Sequence, residues 1–112
     1  MFSGLDYMHR HNFIHRDIKL ANILLHFPEN PEIESMDKLK KYEFLRDFDF
    51  STGKFMALIS DYGLSTFRVP GDVSEQSVAG TPLYTPPQLL KRQPYTYKVD
   101  VWAIGIMCFE ML

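Results

Sequence analysis

A short stretch of the sequence concentrates side chains that could act together in chemistry. Residues 15–22 read H-R-D-I-K-L-A-N and place a carboxylate at Asp17, an ammonium group at Lys19 and an amide at Asn22. A second carboxylate, Asp61, stands before a tyrosine and a glycine. Carboxylate and amide oxygens suit hard cations, and a positioned carboxylate can accept a proton. Each piece alone is weak evidence, because Arg and Asp often pair on surfaces and an Asp near a Gly is typical of a turn.

Two further motifs follow these residues along the chain. Residues 80–88 read G-T-P-L-Y-T-P-P-Q, and residues 100–105 read D-V-W-A-I-G. Together with residues 15–22 and 61–63, they resemble four protein-kinase motifs in the family's order. Those motifs are the H-R-D-x-K-x-x-N catalytic loop, D-F-G, the G-T-x-x-Y-x-A-P-E end of the activation segment, and the D-x-W-S-x-G start of a buried helix. The resemblance covers nearly all of the chain except a charged stretch at 26–55.

The resemblance implies transfer of the ATP γ-phosphate to a hydroxyl group of a protein, with ATP and Mg²⁺ as cofactors. Asp17 would accept the hydrogen bond and the proton of that hydroxyl, and Lys19 would place its charge near the transferred phosphate. These two are the expected catalytic residues. Lys19, Asn22 and Asp61 are the expected contacts to the nucleotide, and Asn22 and Asp61 are the expected metal ligands.

The resemblance also indicates the acceptor. Lys19 is typical of serine/threonine kinases, whereas tyrosine kinases usually carry Ala-Ala-Arg there. Thr81 is expected to hydrogen-bond near Asp17 and Lys19 and to help admit a Ser or Thr side chain. The expected partners are a protein substrate with Ser or Thr and an upstream activating kinase, or autophosphorylation in its place.

Regulation by phosphorylation is expected from Arg16, since an Arg beside the catalytic Asp usually pairs with an anionic group of the activation segment. A phosphate adds about −1.5 to −2 charges and three strong acceptors. Ser77, three residues before the Gly-Thr pair, is the first candidate, Ser74 the second and Thr66 a weaker third.

Three features of the sequence depart from the family pattern. Tyr62 replaces Phe, which keeps the aromatic ring and adds a hydroxyl that needs a partner; His15 is expected to pack against this ring. Gln88 replaces a Glu that would form a buried ion pair, which weakens the expected anchoring of the activation segment. Thirty-eight residues separate Asn22 from Asp61, where the family has a much shorter connection, so residues 26–55 are predicted to be a charged surface insertion. Its charge is most simply a solvated face, and a docking site for a partner is the alternative.

For the elements that position these groups, the resemblance implies an α+β fold: a partial, mainly helical kinase-like large lobe with a short β-hairpin beside the catalytic cleft. The expected units are a helix end, the catalytic loop and a strand over 1–25; the insertion over 26–55; the metal-binding motif and activation segment over 56–97; and the start of a buried helix over 98–112. Within them we predict a buried strand at 23–25, a helix at 38–45, a half-exposed strand at 47–50 and a strand at 55–59.

Composition agrees with one globular domain. Of 112 residues, 46% are hydrophobic and 23% charged, and the formal net charge is −2, so nothing argues for nucleic acid or an anionic membrane as a partner. The single cysteine, Cys108, excludes an intrachain disulfide and fits a reducing compartment, the cytoplasm or nucleus. No signal peptide follows Met1, and the apolar run at 99–112 is too short to span a bilayer.

Two functions remain open at this stage. The first is a serine/threonine kinase segment that is inactive in isolation, because these 112 residues contain neither a Gly-rich loop nor the strand lysine that grips the phosphates. The second is a truncated kinase or pseudokinase that acts as a binding or scaffold module. A small Rossmann-like nucleotide binder is disfavoured, since no G-x-G-x-x-G is present. Four apolar side chains of the last helix are expected to lack packing in the isolated segment: Trp102, Ile104, Met107 and Met111.

Overall fold

The computed structural model describes residues 2–69 and 79–112. Short helices and short strands alternate along these residues, which gives the α+β character that the sequence predicts. The helices are α1 (Phe2–Arg10), α2 (Lys38–Asp47), α3 (Pro87–Leu90) and α4 (Lys98–Glu110). The strands are β1 (Phe13–Ile14), β2 (Ile23–His26), β3 (Met56–Ile59) and β4 (Thr66–Phe67), and 3₁₀ turns occur at Leu20–Asn22, Pro31–Ser35 and Pro82–Tyr84.

The expected hairpin is formed by β2 and β3, which pair antiparallel from Ile23↔Ile59 to His26↔Met56. The intervening residues connect one end of this hairpin, so the insertion lies where a surface loop tolerates extra length. The expectation that residues 23–25 are buried is wrong. Leu24 and Leu25 are 54% and 44% exposed, and because successive residues of a strand point to opposite faces, both faces of the hairpin are partly uncovered.

A second ladder pairs β1 with β4 and was not predicted, since two-residue strands carry no readable alternation. Phe13 lies opposite Phe67, and their rings meet edge-on at 5.3 Å. The N–H of Arg68 donates to the carbonyl of Asn12 at 2.8 Å and extends the pairing. This ladder ties the segment after Asp61 to the segment that precedes residues 15–22.

The insertion contains the predicted helix, which begins after the N-cap Asp37 and ends two residues later than expected. The predicted strand at 47–50 is wrong, because these residues form the end of α2 and a turn. The alternation of acidic and aromatic residues has another cause: Phe48 and Phe50 join an aromatic cluster, while the carboxylate of Asp49 accepts hydrogen bonds within the turn. The cluster consists of Phe27, Phe44, Phe48, Phe50 and Phe55.

Two small cores hold the rest of the described chain together. One contains Ile14, Leu89, Tyr95 and Val99, and the other contains Leu5, Ile18 and Ala103. Both cores use residues of α4, so this helix lies beneath the 15–22 loop.

Helix α4 is only partly covered. Trp102 is 45% and Met111 60% exposed, as expected, and Ile104 is partly buried. The expectation is wrong for Met107, which is 2% exposed. Among the described residues, none of the helices has the length and apolar character needed to cross a bilayer.

Candidate active site

Asp17 is the centre of a hydrogen-bonded group in the loop between β1 and the 3₁₀ turn. Its side chain is 7% exposed. Lys19 Nζ donates to Oδ2 at 2.8 Å, and Asn22 Nδ2 donates to the same oxygen at 3.0 Å. Thr81 donates to Oδ1 from its hydroxyl at 2.7 Å and from its backbone N–H at 3.1 Å. The structure therefore brings four of the sequence-predicted residues, at positions 17, 19, 22 and 81, into one group.

These donors set the charge of Asp17. Burial alone would raise the pKa of this carboxyl, but hydrogen bonds from Lys19, Thr81 and Asn22, with the positive charge of Lys19, outweigh it. The pKa therefore lies below its ordinary value of 3.8. Asp17 is thus an ionised acceptor at neutral pH.

The residue that sequence reasoning missed is Asp100, which anchors the loop from below. Asp100 is 0% exposed and lies in the first turn of α4. Its Oδ2 accepts from the N–H of His15 at 2.9 Å and from Nε2 of His9 at 2.8 Å, and its Oδ1 accepts from the N–H of Arg16 at 2.8 Å. The available signal was the first residue of the 100–105 motif, a carboxylate near the start of a mostly apolar helix, because a buried charge requires partners.

Backbone conformation depends on this anchor. Arg16 has φ +68°, a left-handed conformation that costs a non-glycine residue energy and needs support from its surroundings. Gly80 packs against the same position: its φ is +116°, and a Cβ there would lie 2.5 Å from the carbonyl oxygen of Arg16. A glycine is therefore required where the second segment reaches the loop, and this close approach delivers Thr81 to Asp17.

His15 has the structural place that was expected. It is fully buried, and its ring lies edge-on to Tyr62 with centroids 5.3 Å apart. Its Nε2 lies 3.1 Å from the carbonyl oxygen of Ser60, while Nδ1 accepts the N–H of Asp17 at 3.3 Å. The added hydroxyl of Tyr62 donates to the carbonyl of Ile59 at 2.9 Å.

Asp61 is placed beside Asn22 by the hairpin. The N–H and hydroxyl of Ser60 donate to the Asn22 carbonyl at 2.9 and 3.0 Å, and Asp61 follows directly. Asp61 is exposed with φ +61°, and its Oδ1 accepts the N–H of Gly63 at 3.3 Å. Within the described residues it forms no hydrogen bond with Asp17 or Lys19.

The oxygens at this end of the hairpin fit a magnesium ion. Asn22 uses its Nδ2 toward Asp17, which leaves its side-chain oxygen for another partner, and the exposed Asp61 offers a carboxylate. In residues 2–69 and 79–112 no three His, Cys, Asp or Glu side chains form a metal cluster. Two oxygen ligands suit Mg²⁺, which usually keeps water and substrate phosphates as its other ligands.

Of the residues expected to take part in regulation, the structure describes Arg16 and Thr66. Arg16 donates from Nε to the carbonyl of Leu64 at 2.7 Å and from Nη1 to the hydroxyl of Tyr95 at 3.2 Å. Ser74 and Ser77 lie outside the described residues. Thr66, the weaker candidate, is partly buried in β4.

Gln88 is exposed in α3. Within the described part of the chain its side chain makes no hydrogen bond, and its backbone carbonyl accepts the N–H of Gln93 at 2.8 Å. This part of the chain is instead held by Leu89, which is 3% exposed in the first core.

Comparison with known proteins agrees with this geometry. The family model described as "Protein kinase domain" matches residues 1–112. Serine/threonine-protein kinase ATG1 of Pichia angusta is 30% identical over 97% of this chain, and DNA damage response protein kinase DUN1 of Saccharomyces cerevisiae is 34% identical over 100%. Serine/threonine-protein kinase max-2 of Caenorhabditis elegans is 32% identical over 97%. The chain spans 12%, 20% and 13% of these three relatives. The family match over the whole chain and the ordered motifs lead to one conclusion: this chain belongs to the protein kinase family.

Proposed function

We propose that this chain supplies the catalytic loop and metal-binding residues of an ATP-dependent serine/threonine protein kinase, within a large lobe of the kinase type. The observation that carries the proposal is the buried, ionised Asp17, which is held by Lys19, Asn22 and Thr81. Such a carboxylate, rigidly held next to an ammonium group, is suited to accept a proton while negative charge moves nearby.

The proposed role of each side chain follows from its chemical group and its neighbours. Asp17 accepts a hydrogen bond from the substrate hydroxyl and takes its proton as the oxygen attacks the γ-phosphorus and the bond to ADP breaks. Lys19 Nζ lies within 2.8 Å of both Asp17 and Thr81, where its charge can stabilise the transferred group. Asn22 and Asp61 would hold Mg²⁺, which supplies counter-charge to the phosphates of bound ATP.

Thr81 and Lys19 support the proposal that the acceptor of the phosphate is a serine or threonine. The Thr81 hydroxyl donates to Asp17 and accepts from Lys19, so it joins the proposed base to the segment that would face the substrate. Two of the three relatives above are named serine/threonine-protein kinases. We therefore propose that a Ser or Thr of a protein is the acceptor.

Regulation is proposed at the same loop. Because Arg16 adjoins Asp17 and a phosphate pairs strongly with guanidinium groups, phosphorylation of Ser77, or secondarily of Ser74, would hold the activation segment against the loop. Mass spectrometry of an active preparation tests this idea. An active form unmodified at both serines would contradict it.

The decisive experiment measures phosphate transfer from labelled ATP to a generic basic protein by the longest form of the protein that carries this segment. Asp17→Asn should lower the rate by about 10²–10⁴-fold, and the labelled product should contain phosphoserine or phosphothreonine. The matched control is Asp6→Asn, since Asp6 is 58% exposed and its one ion pair among the described residues is with Arg10; this variant should keep full activity. Equal labelling by wild type and Asp17→Asn would favour the non-catalytic scaffold.

A further inference from the structure

The insertion helix α2 carries an apolar stripe that the described fold leaves uncovered. Leu39, Tyr42 and Leu45 are spaced at i, i+3 and i+6, so they share one face of the helix. Their exposed fractions are 67%, 66% and 37%. Single exposed apolar residues are ordinary, but a contiguous stripe on one helix face is typical of an interaction surface.

The insertion does not need this stripe for its own packing. Helix α2 packs through Phe44, whose ring meets Phe27 and Phe48 at 5.3 Å in the aromatic cluster. Phe27 is 5% exposed at the centre of that cluster. Phe44 therefore holds α2 against the rest of the insertion from the side opposite the stripe, and the stripe stays exposed on a helix that is fixed in place.

Charge around the stripe indicates what can cover it. Lys38 and Arg46 lie one turn before and one turn after Tyr42, on the same side of the helix. Among the described residues Lys38 has no ion pair, and Arg46 pairs with its neighbour Asp47 in an exposed contact, which contributes little stability. Glu43 borders one edge of the stripe and Lys41 borders the other, so the two edges differ in charge.

We propose that this face of α2 docks an acidic amphipathic helix of a partner protein. Apolar side chains of the partner would cover Leu39, Tyr42 and Leu45, and its carboxylates would meet Lys38 and Arg46. A basic partner would face like charges at both ends of the stripe. The docking requires no phosphate transfer, so it stands or falls independently of the proposed function.

The probe is a designed 18-residue peptide with Leu at positions i, i+3, i+4 and i+7 and Glu at the flanking positions. A matched peptide carries Lys in place of each Glu. Binding to the longest form of the protein is measured by fluorescence anisotropy, at low and at high salt. The Glu peptide should bind at least about tenfold more tightly than the Lys peptide, and high salt should reduce this difference.

Three variants locate the contact. Leu39→Asp should abolish binding of the Glu peptide, and Lys38→Glu should weaken it by about tenfold. Lys40→Glu changes the net charge equally but lies on the opposite side of α2, so binding should be unchanged. Because all three side chains are exposed, the variants should keep the wild-type melting temperature, which is measured in parallel.

The proposal is overturned if both peptides bind equally, or if Leu39→Asp binds like the wild type. It is also overturned if the protein self-associates through Leu39 in light scattering, which would assign the face to a second copy. Sedimentation with phosphatidylserine vesicles that depends on Leu39 would assign it to a membrane instead.

Discussion

Replacing Asp100 with Asn should loosen the loop that carries the proposed base. In the native structure, one carboxylate oxygen accepts the N–H of Arg16 and the other accepts the N–H of His15 and Nε2 of His9. Asparagine keeps one acceptor oxygen and places an NH₂ group where the other oxygen was. At least one buried N–H then loses its partner and faces another donor.

The magnitude follows from these contacts. A hydrogen bond to a charged group contributes about 1.5–3 kcal/mol, and a buried donor left unsatisfied costs about 1–3 kcal/mol. Since Asp100 is 0% exposed, water cannot replace the lost acceptor. We expect Asp100→Asn to lower the free energy of unfolding by about 2–4 kcal/mol.

Urea denaturation of the longest form of the protein measures this change, and hydrogen exchange locates it. The amides of His15 and Arg16 should lose protection more than those of the β2–β3 hairpin. Asp47→Asn is the control, because Asp47 is exposed and, within the part of the chain that the structure describes, forms an ion pair with Arg46 alone; it should leave both measurements unchanged. An unfolding free energy within about 0.5 kcal/mol of wild type, with both amides still protected, would refute the reasoning.

Three further predictions concern the turn of the insertion and the proposed base. Hydrogen bonds from Ser51 and Thr52 lower the pKa of Asp49 to about 2, so an NMR titration of its carboxyl should show this value; an ordinary pKa would contradict the turn. Gly53→Ala should destabilise the fold by about 1–3 kcal/mol, because its Cβ would lie 2.4 Å from the Phe48 ring and 2.7 Å from the Asp49 carbonyl. Gly4 has open space around it in α1, so Gly4→Ala should instead be neutral or stabilising by up to about 1 kcal/mol. Equal free energies of unfolding for the two alanine variants in urea would refute this difference. The pKa of Asp17 in the folded protein lies below 3.8. Its contribution to the free energy of unfolding is therefore complete above the pKa of the unfolded chain and is lost as the pH falls through the pKa of the folded protein. Stability measured between about pH 5 and pH 2 should therefore fall less in Asp17→Asn than in wild type, and parallel curves would contradict this.

The elements that depend on neighbours in sequence could be predicted. The helix in the insertion could be predicted from the rough i+3 spacing of Leu39, Tyr42 and Leu45, and the β2–β3 hairpin from short apolar runs on either side of a polar stretch. The chemical character of Asp17, Lys19 and Asn22 could be inferred too, because five residues of loop and turn hold these side chains close together whatever surrounds them.

Other features were decided by the tertiary structure. The hydrogen bonds of Asp100 to the 15–22 loop join residues 84 positions apart and were not predicted. The contact of Thr81 with Asp17, across 64 positions, was expected from the family resemblance and from no local pattern. No local pattern encodes such contacts, since they form only when helix α4 and the activation segment fold back onto the loop. The strand expected at 47–50 failed for the same reason: alternating Asp and Phe residues satisfy either a half-exposed strand or a turn over an aromatic cluster. The turn forms because Phe27 and Phe55 lie close together where the hairpin strands end. The rings of Phe48 and Phe50 can pack there in one cluster, which removes more apolar surface from water than an isolated strand could.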